Sequence, residues 1–114
     1  MSDYITLKEN RDFTRLYRKG KGFVSPVLVT YILKNKSSNL RIGITTGKKI
    51  GNAVKRVRSR RVIRAAFDEI SENLVCGYDI VFVARGKTPF VKSYVVKKAM
   101  TEAFEKANML NEKC

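Results

Sequence analysis

Apolar residues recur along this chain with two different periods, and the changes of period divide it into elements. Phe13, Leu16 and Tyr17 stand at i, i+3 and i+4, with Asn10 as an N-cap and Gly20 as a stop. That spacing predicts a short amphipathic helix over 11–19. Val27, Val29, Tyr31 and Leu33 alternate with Leu28, Thr30 and Ile32, which predicts a strand that is apolar, and so covered, on both faces. The polar stretch from Asn35 to Asn39 reads as a turn, after which Leu40, Ile42 and Ile44 alternate with Arg41, Gly43 and Thr45. A second strand pairing back across that turn is expected. Gly47 and Gly51 then punctuate a loop, and Asn52 is placed to cap a long helix over 53–73. The apolar run from Asp79 to Ala84 reads as a buried strand. Past the loop of Gly86 and Pro89, Ser93 reads as an N-cap, and Val96, Met100, Ala103, Phe104 and Ala107 share one face of a closing helix. The order α-β-β-(β)-α-β-α, with a further short strand before the long helix, predicts an α+β fold: a two-layer sandwich, its small mixed sheet packed by helices. At 114 residues the chain, 1–114, is expected to form a single domain.

Charge changes the picture from a fold to a partner. From Lys48 to Arg64 the chain reads KKIGNAVKRVRSRRVIR, in which eight of seventeen residues are Lys or Arg and none is acidic. Between Asp12 and Asp68 fifteen Lys and Arg accumulate against no Asp or Glu, a net +15 within a chain whose total is +14. A field of one sign this dense costs the compact state self-repulsion, so it calls for a polyanion. The long helix concentrates the demand. Ile63, Ala66, Phe67, Ile70 and Leu74 form an ordinary core stripe, but continuing it backward meets Arg56, Ser59 and Arg60. Lys55, Arg58, Arg61 and Arg64 point elsewhere around the axis. Cations therefore ring the first three turns, and this end of the helix is expected to project beyond the core and be gripped by phosphates. The helix macrodipole and the amides of the Gly47 to Asn52 loop add to that attraction.

Other chemistries fit less well. GITTGKK, Gly43 to Lys49, follows a strand and precedes a helix as a phosphate-binding loop does. It has three residues between the glycines where four are needed, and Lys49 where a hydroxyl should hold magnesium, so no nucleotide cofactor is expected. A self-sufficient nuclease wants a His or paired carboxylates beside the phosphate path. The chain has no His, and Asp68, Glu69 and Glu72 lie on the far half of the helix, where Asp68 and Glu72 can share a face as a solvated pair partly neutralised by Arg64. No metal-holding residues, and no structural zinc, are expected. Cys76 and Cys114 lack a CxxC spacing; Cys76 reads as a small core residue, and a disulfide is not expected. No apolar run approaches the roughly eighteen residues of a membrane span, and MSDYITLKEN has neither the basic head nor the apolar stretch of a signal peptide. No membrane partner and a cytoplasmic location are expected.

The run KKIGNAV followed by RVRSRRVIR resembles the signature of the protein subunit of bacterial ribonuclease P. The so-called RNR motif of that family has Arg-Asn-Arg, an apolar residue, Lys-Arg, two more residues and Arg. The resemblance extends over nearly the whole chain, through DF with an aromatic four residues on (Phe13, Tyr17), a strand with Tyr31, the LRIGI strand and the DIVFVAR strand. Val57 stands where the family has Asn, Ser59 where it usually has an apolar residue, and Arg60 where it has Lys.

The resemblance implies an RNA-binding subunit of a ribonucleoprotein endoribonuclease, with catalysis carried by a large RNA that removes the 5′ leader of precursor tRNA. It implies no protein catalytic residue, magnesium at the level of the holoenzyme held mostly by RNA, and two RNA-facing surfaces. Lys48, Lys49, Lys55, Arg56, Arg58, Arg60, Arg61 and Arg64 would face the ribonuclease P RNA. Phe13, Tyr17 and Tyr31 would line the cleft for the single-stranded leader, where aromatic faces stack on bases without demanding a sequence. Phe13 and Tyr17 equally satisfy a helix-to-core stripe. The resemblance also implies a βαβ crossover of the rare left hand. A ribosomal or other structural RNA-binding protein would share the charge and the small α+β fold, but would lack the DF-plus-aromatic cleft and the KKIGNAV loop.

Overall fold

Strand Tyr78–Ala84 is apolar on both sides, and the fold is arranged to cover it on both. The computed structural model describes residues 4–74 and 76–109. In chain order the elements are β1 (Ile5–Thr6), α1 (Asn10–Lys19), β2 (Lys21–Val24), β3 (Leu28–Lys34), β4 (Arg41–Thr45), α2 (Ala53–Ile70), β5 (Tyr78–Ala84) and α3 (Ser93–Lys106). The strands form one sheet in the order β1-β4-β5-β3-β2, with β5 at its centre. β5 runs parallel to β4 and antiparallel to β3.

This α+β architecture is the expected class, with a different sheet order. β3 and β4 were expected to pair across the Asn35–Asn39 turn, but β5 inserts between them, Tyr31 and Gly43 both registering on Val81. The reason is burial: Ile80, Val81 and Phe82 are fully buried, which only a strand with neighbours on both edges and cover on both faces provides. The additional strands are β1 and β2, flanking α1, rather than one between β4 and α2. α2 ends at Ile70 and passes into a 3-10 turn over Ser71–Asn73, so the predicted span to 73 is divided. Glu9 and Lys92, not Asn10 and Ser93, occupy the N-cap positions of α1 and α3. Cys76 is half-buried and disulfide-bonded, against both expectations for it. It lies in the turn between α2 and β5, beside Gly77 at φ 87°, where the backbone needs a left-handed residue and no core element is present.

Helices cover the two sheet faces unequally. On one face Leu28, Ile32, Ile42, Ile80 and Phe82 meet Ile63, Ala66, Phe67 and Ile70 of α2 and Val96, Met100 and Phe104 of α3. Phe67, Phe82 and Phe104 form a triangle of tilted rings with centroids 5.4–6.4 Å apart. The opposite face carries only α1, and the core there is a small cluster of Leu7, Leu16 and Val81 with Phe13, Tyr31, Leu33 and Val83 around it. One short helix leaves part of that face open, and both grooves described below flank it.

Candidate nucleic-acid interface

α1 reaches the sheet closely because β4 has Gly43 beneath it: a Cβ there would come within 2.6 Å of the Phe13 ring. Phe13 is accordingly half-buried against the sheet, while Tyr17, one turn further on, is 43% exposed. Tyr17 meets Tyr31 of β3 edge to face, with ring centroids 5.1 Å apart. The Tyr31 ring in turn lies over Gly22 of β2. Asn10, Phe13, Thr14 and Tyr17 of α1 then form one wall of a groove of about 580 Å³, with Ile44, Thr45 and Thr46 as the other wall and Arg60 of α2 at its end. The Arg60 Nε donates to the Thr46 hydroxyl at 3.0 Å. Tyr31 backs Tyr17 but is not part of the groove wall. Of the three expected cleft aromatics, two therefore line the groove and the third supports it from beneath.

The cations are presented by the segment between β4 and α2. Lys48 and Lys49 stand exposed on a 3-10 turn, Lys48–Ile50, that Ile50 anchors by burying its side chain. Gly51 follows at φ 133°, a conformation other residues rarely adopt. The Asn52 side chain then accepts from the Lys55 backbone N–H at 3.1 Å, capping α2 as its sequence position predicts. Lys55, Arg58, Arg60, Arg61 and Arg64 are exposed, and Arg56 is half-buried.

The helix end does not project as expected. Ser59 is fully buried, its hydroxyl donating to the Lys55 carbonyl at 2.9 Å, and the front of α2 rests on the 3-10 turn Thr88–Phe90. A serine that bonds its own helix backbone is small and leaves no unsatisfied group, so the core stripe continues through it. The cations are thus spread over the exposed sides of a docked helix. Besides Arg60, bonded to Thr46, two of them have partners: the Lys55 ammonium lies 5.3 Å from the centre of the Phe90 ring, and Arg64 donates to the Tyr4 hydroxyl at 3.2 Å. Tyr4 donates onward to Asp68 at 2.8 Å. Burial first, then this bond to Asp68, raise the Tyr4 phenol above its usual pKa. Arg64 therefore reaches Asp68 through Tyr4, and it is the most structurally engaged of the predicted RNA-facing arginines.

Some surface features carried no sequence signal. Thr45 and Thr46 line the groove only because the end of β4 comes alongside α1. Phe90, 69% exposed, was part of a loop identified from Gly86 and Pro89 alone. Val57 is 48% exposed and, with Ala53, Val54, Arg58 and Arg61, lines a second hollow of about 500 Å³ on α2. The residue replacing the Asn of the motif thus lies on the open side of the helix, among the arginines.

Among the described residues no helix is long and apolar enough to cross a membrane. A family model described as Ribonuclease P matches residues 1–108. The ribonuclease P protein component of Clostridium beijerinckii is 38% identical over 112 residues, covering 92% of this chain and 90% of the relative. That of Clostridioides difficile is 50% identical over 80 residues, 69% of this chain and 70% of the relative. Among solved structures, the Staphylococcus aureus RNase P protein superposes with a TM-score of 0.81 at 29% identity, covering 96% of this chain and all of that one. The Thermotoga maritima RNase P protein gives 0.77 at 26% identity, covering 89% and 96%.

Proposed function

The chain belongs to the ribonuclease P protein family, subunits of an endoribonuclease holoenzyme, and from that membership we propose how its surfaces divide the work. Its partner is ribonuclease P RNA, which meets the exposed cations of Lys48, Lys49 and the front of α2. The groove beside α1 receives the 5′ leader of precursor tRNA. One observation carries this reading: the groove walled by Phe13 and Tyr17 ends at Arg60, itself one of the α2 cations and bonded to Thr46. Aromatic and cationic surfaces are therefore continuous, so one strand of RNA can stack its bases on the rings while its phosphates meet guanidinium groups.

The protein's part in the chemistry is binding. Arg and Lys neutralise phosphates where two RNAs must approach each other, and Tyr17 offers a ring face that accepts any base. Such a reading places divalent ions, magnesium first, with the RNA phosphates, and places the protein in the cytoplasm beside its precursor substrate. Val57 fits it too, since an exposed position flanked by Arg56 and Arg58 loses an amide without losing charge.

Cleavage of a precursor tRNA by a bacterial ribonuclease P RNA at low magnesium tests the proposal, with the protein present, absent and alone. Cleavage that requires both components is expected. Salt-sensitive RNA binding without stimulation would favour a purely structural RNA-binding role instead.

A further inference from the structure

The opposite flank of α1 carries a second groove, of about 730 Å³, that none of the surfaces above uses. Arg15 and Lys19 of α1, Lys34 and Arg41 of the adjoining strands and Lys36 of the following turn place five cations along it. Beneath them Asp79 is fully buried and accepts four hydrogen bonds. Arg15 donates Nη2 to Oδ2 at 2.7 Å, Arg41 donates Nε to Oδ1 at 2.8 Å and Nη2 to Oδ2 at 2.6 Å, and the Asn35 amide donates to Oδ1 at 2.8 Å. Asp12, 3.7 Å from Arg41, is the other acid in reach. Five cations less two acids leave a net +3.

The groove is held in shape before anything binds. Asn35 joins Asp79 to the turn, its side chain also donating to the Asn39 carbonyl at 3.2 Å and accepting from the Ser37 backbone N–H at 2.9 Å. Ser37 accepts from the Asn39 N–H at 3.1 Å. The turn carrying Lys36 is thus fixed from inside, which lowers the ordering cost of a contact there. Arg15 and Arg41 spend one and two of their five N–H donors on Asp79, and their side chains remain 42% and 27% exposed. Lys19, Lys34 and Lys36 have no ion-pair partner among the described residues.

We propose that this groove holds the sugar–phosphate backbone of folded ribonuclease P RNA, at a site separate from both the aromatic groove and the α2 cations. It rests on the RNA-subunit reading. Ile5 and Leu33 are the apolar members of its wall and no ring is among its lining residues, so nothing there stacks an unpaired base. Cations and amides without rings suit backbone contacts, which position an RNA without reading its sequence. The subunit would then grip RNA on both flanks of α1.

The test is a combined Lys19→Ala, Lys34→Ala and Lys36→Ala variant, checked by urea unfolding and compared with Lys19→Arg, Lys34→Arg and Lys36→Arg. The readout is the salt dependence of affinity for ribonuclease P RNA alone, and separately for precursor tRNA with and without a leader. The alanine variant is expected to lower the slope for ribonuclease P RNA by roughly two to three units, about 0.7–0.9 per lost phosphate contact, and the arginine variant to restore it. An unchanged slope overturns the proposal, and so does a loss confined to leader-bearing precursor, which would give the groove to the leader. If the triple alanine variant unfolds, Lys36→Ala alone is read the same way, with a change of about one unit expected. Wild-type protein that fails to stimulate the RNA would instead refute the subunit reading, whatever the slopes.

Discussion

Two sets of arginines in this molecule meet opposite fates. Arg15 and Arg41 close around one buried carboxylate, whereas Arg58, Arg60 and Arg61 stand on α2 with no acid beside them. The difference follows from where the acids fall. Asp79 is the second residue of the central strand and lies next to Arg41 in register, so burying it forces a cationic partner. Between Asp12 and Asp68 there is no acid at all, so the front of α2 has nothing local to pair with. Guanidinium groups of the first set hold the sheet to α1; those of the second have no acid of this chain to hold.

Removing Arg41 should expose the contrast most strongly. Arg41→Ala leaves Asp79 buried with its bidentate partner gone, and a loss of about 3–5 kcal/mol in urea unfolding is expected. Arg58→Ala should change stability by no more than about 0.5 kcal/mol. Equal stabilities for the two variants would erase the distinction. The same pair sets an acid limit. Burial alone would raise the Asp79 carboxyl, but hydrogen bonds from Arg41 and Asn35 and the charges of Arg41 and Arg15 outweigh it and hold its pKa below the ordinary value. The folded state therefore binds fewer protons than the unfolded chain. Stability from this group is complete above the unfolded value, about 3.9, and drains away as pH falls through the lower folded value. An Asp79→Asn variant measured across that range should show a shallower acid loss.

On the aromatic side, Tyr17→Ala removes the exposed ring of the groove wall and should weaken leader binding by about 1–3 kcal/mol, with mature tRNA bound as before. Equal weakening of both RNAs would mean a damaged fold. Arg58→Ala or Arg61→Ala should reduce the salt slope of RNA binding by about one unit each, and an unchanged slope would take that residue off the phosphate interface. The smallest effect belongs to Val57→Asn, which adds an amide at an exposed position. Improved holoenzyme assembly would show the valine to be a tolerated loss, and no change would show that the amide is dispensable among so many guanidinium groups.

How far each feature could be read in advance depends on whether its cause is local. Period 3.6 over Phe13, Leu16 and Tyr17, alternation through Tyr31, and the Asn52 cap are written in neighbouring residues, and those elements formed as expected. So did the basic segment, because exposure of that much charge needs no tertiary contact. Sheet order was misread because the short turn after β3 favours a hairpin locally, whereas central burial of β5 is a property of the whole core. The front of α2 was expected to leave the core because its stripe continues backward into Arg56, Ser59 and Arg60; Ser59 is buried all the same, its hydroxyl satisfied by its own helix.

Composition and spacing alone therefore determined the α+β class, the long cationic helix with its cap, the family resemblance and the polyanionic partner, since each arises from residues within a turn or two of one another. Only the folded chain decided that Arg60 meets Thr46 at the end of an aromatic groove, that Tyr31 stands behind Tyr17 rather than in the wall, and that Asp79 organises a second basic flank. Those contacts join residues 14, 14 and 38–64 positions apart. They exist because β5 enters between β3 and β4 and draws α1 across the face that α2 and α3 leave open.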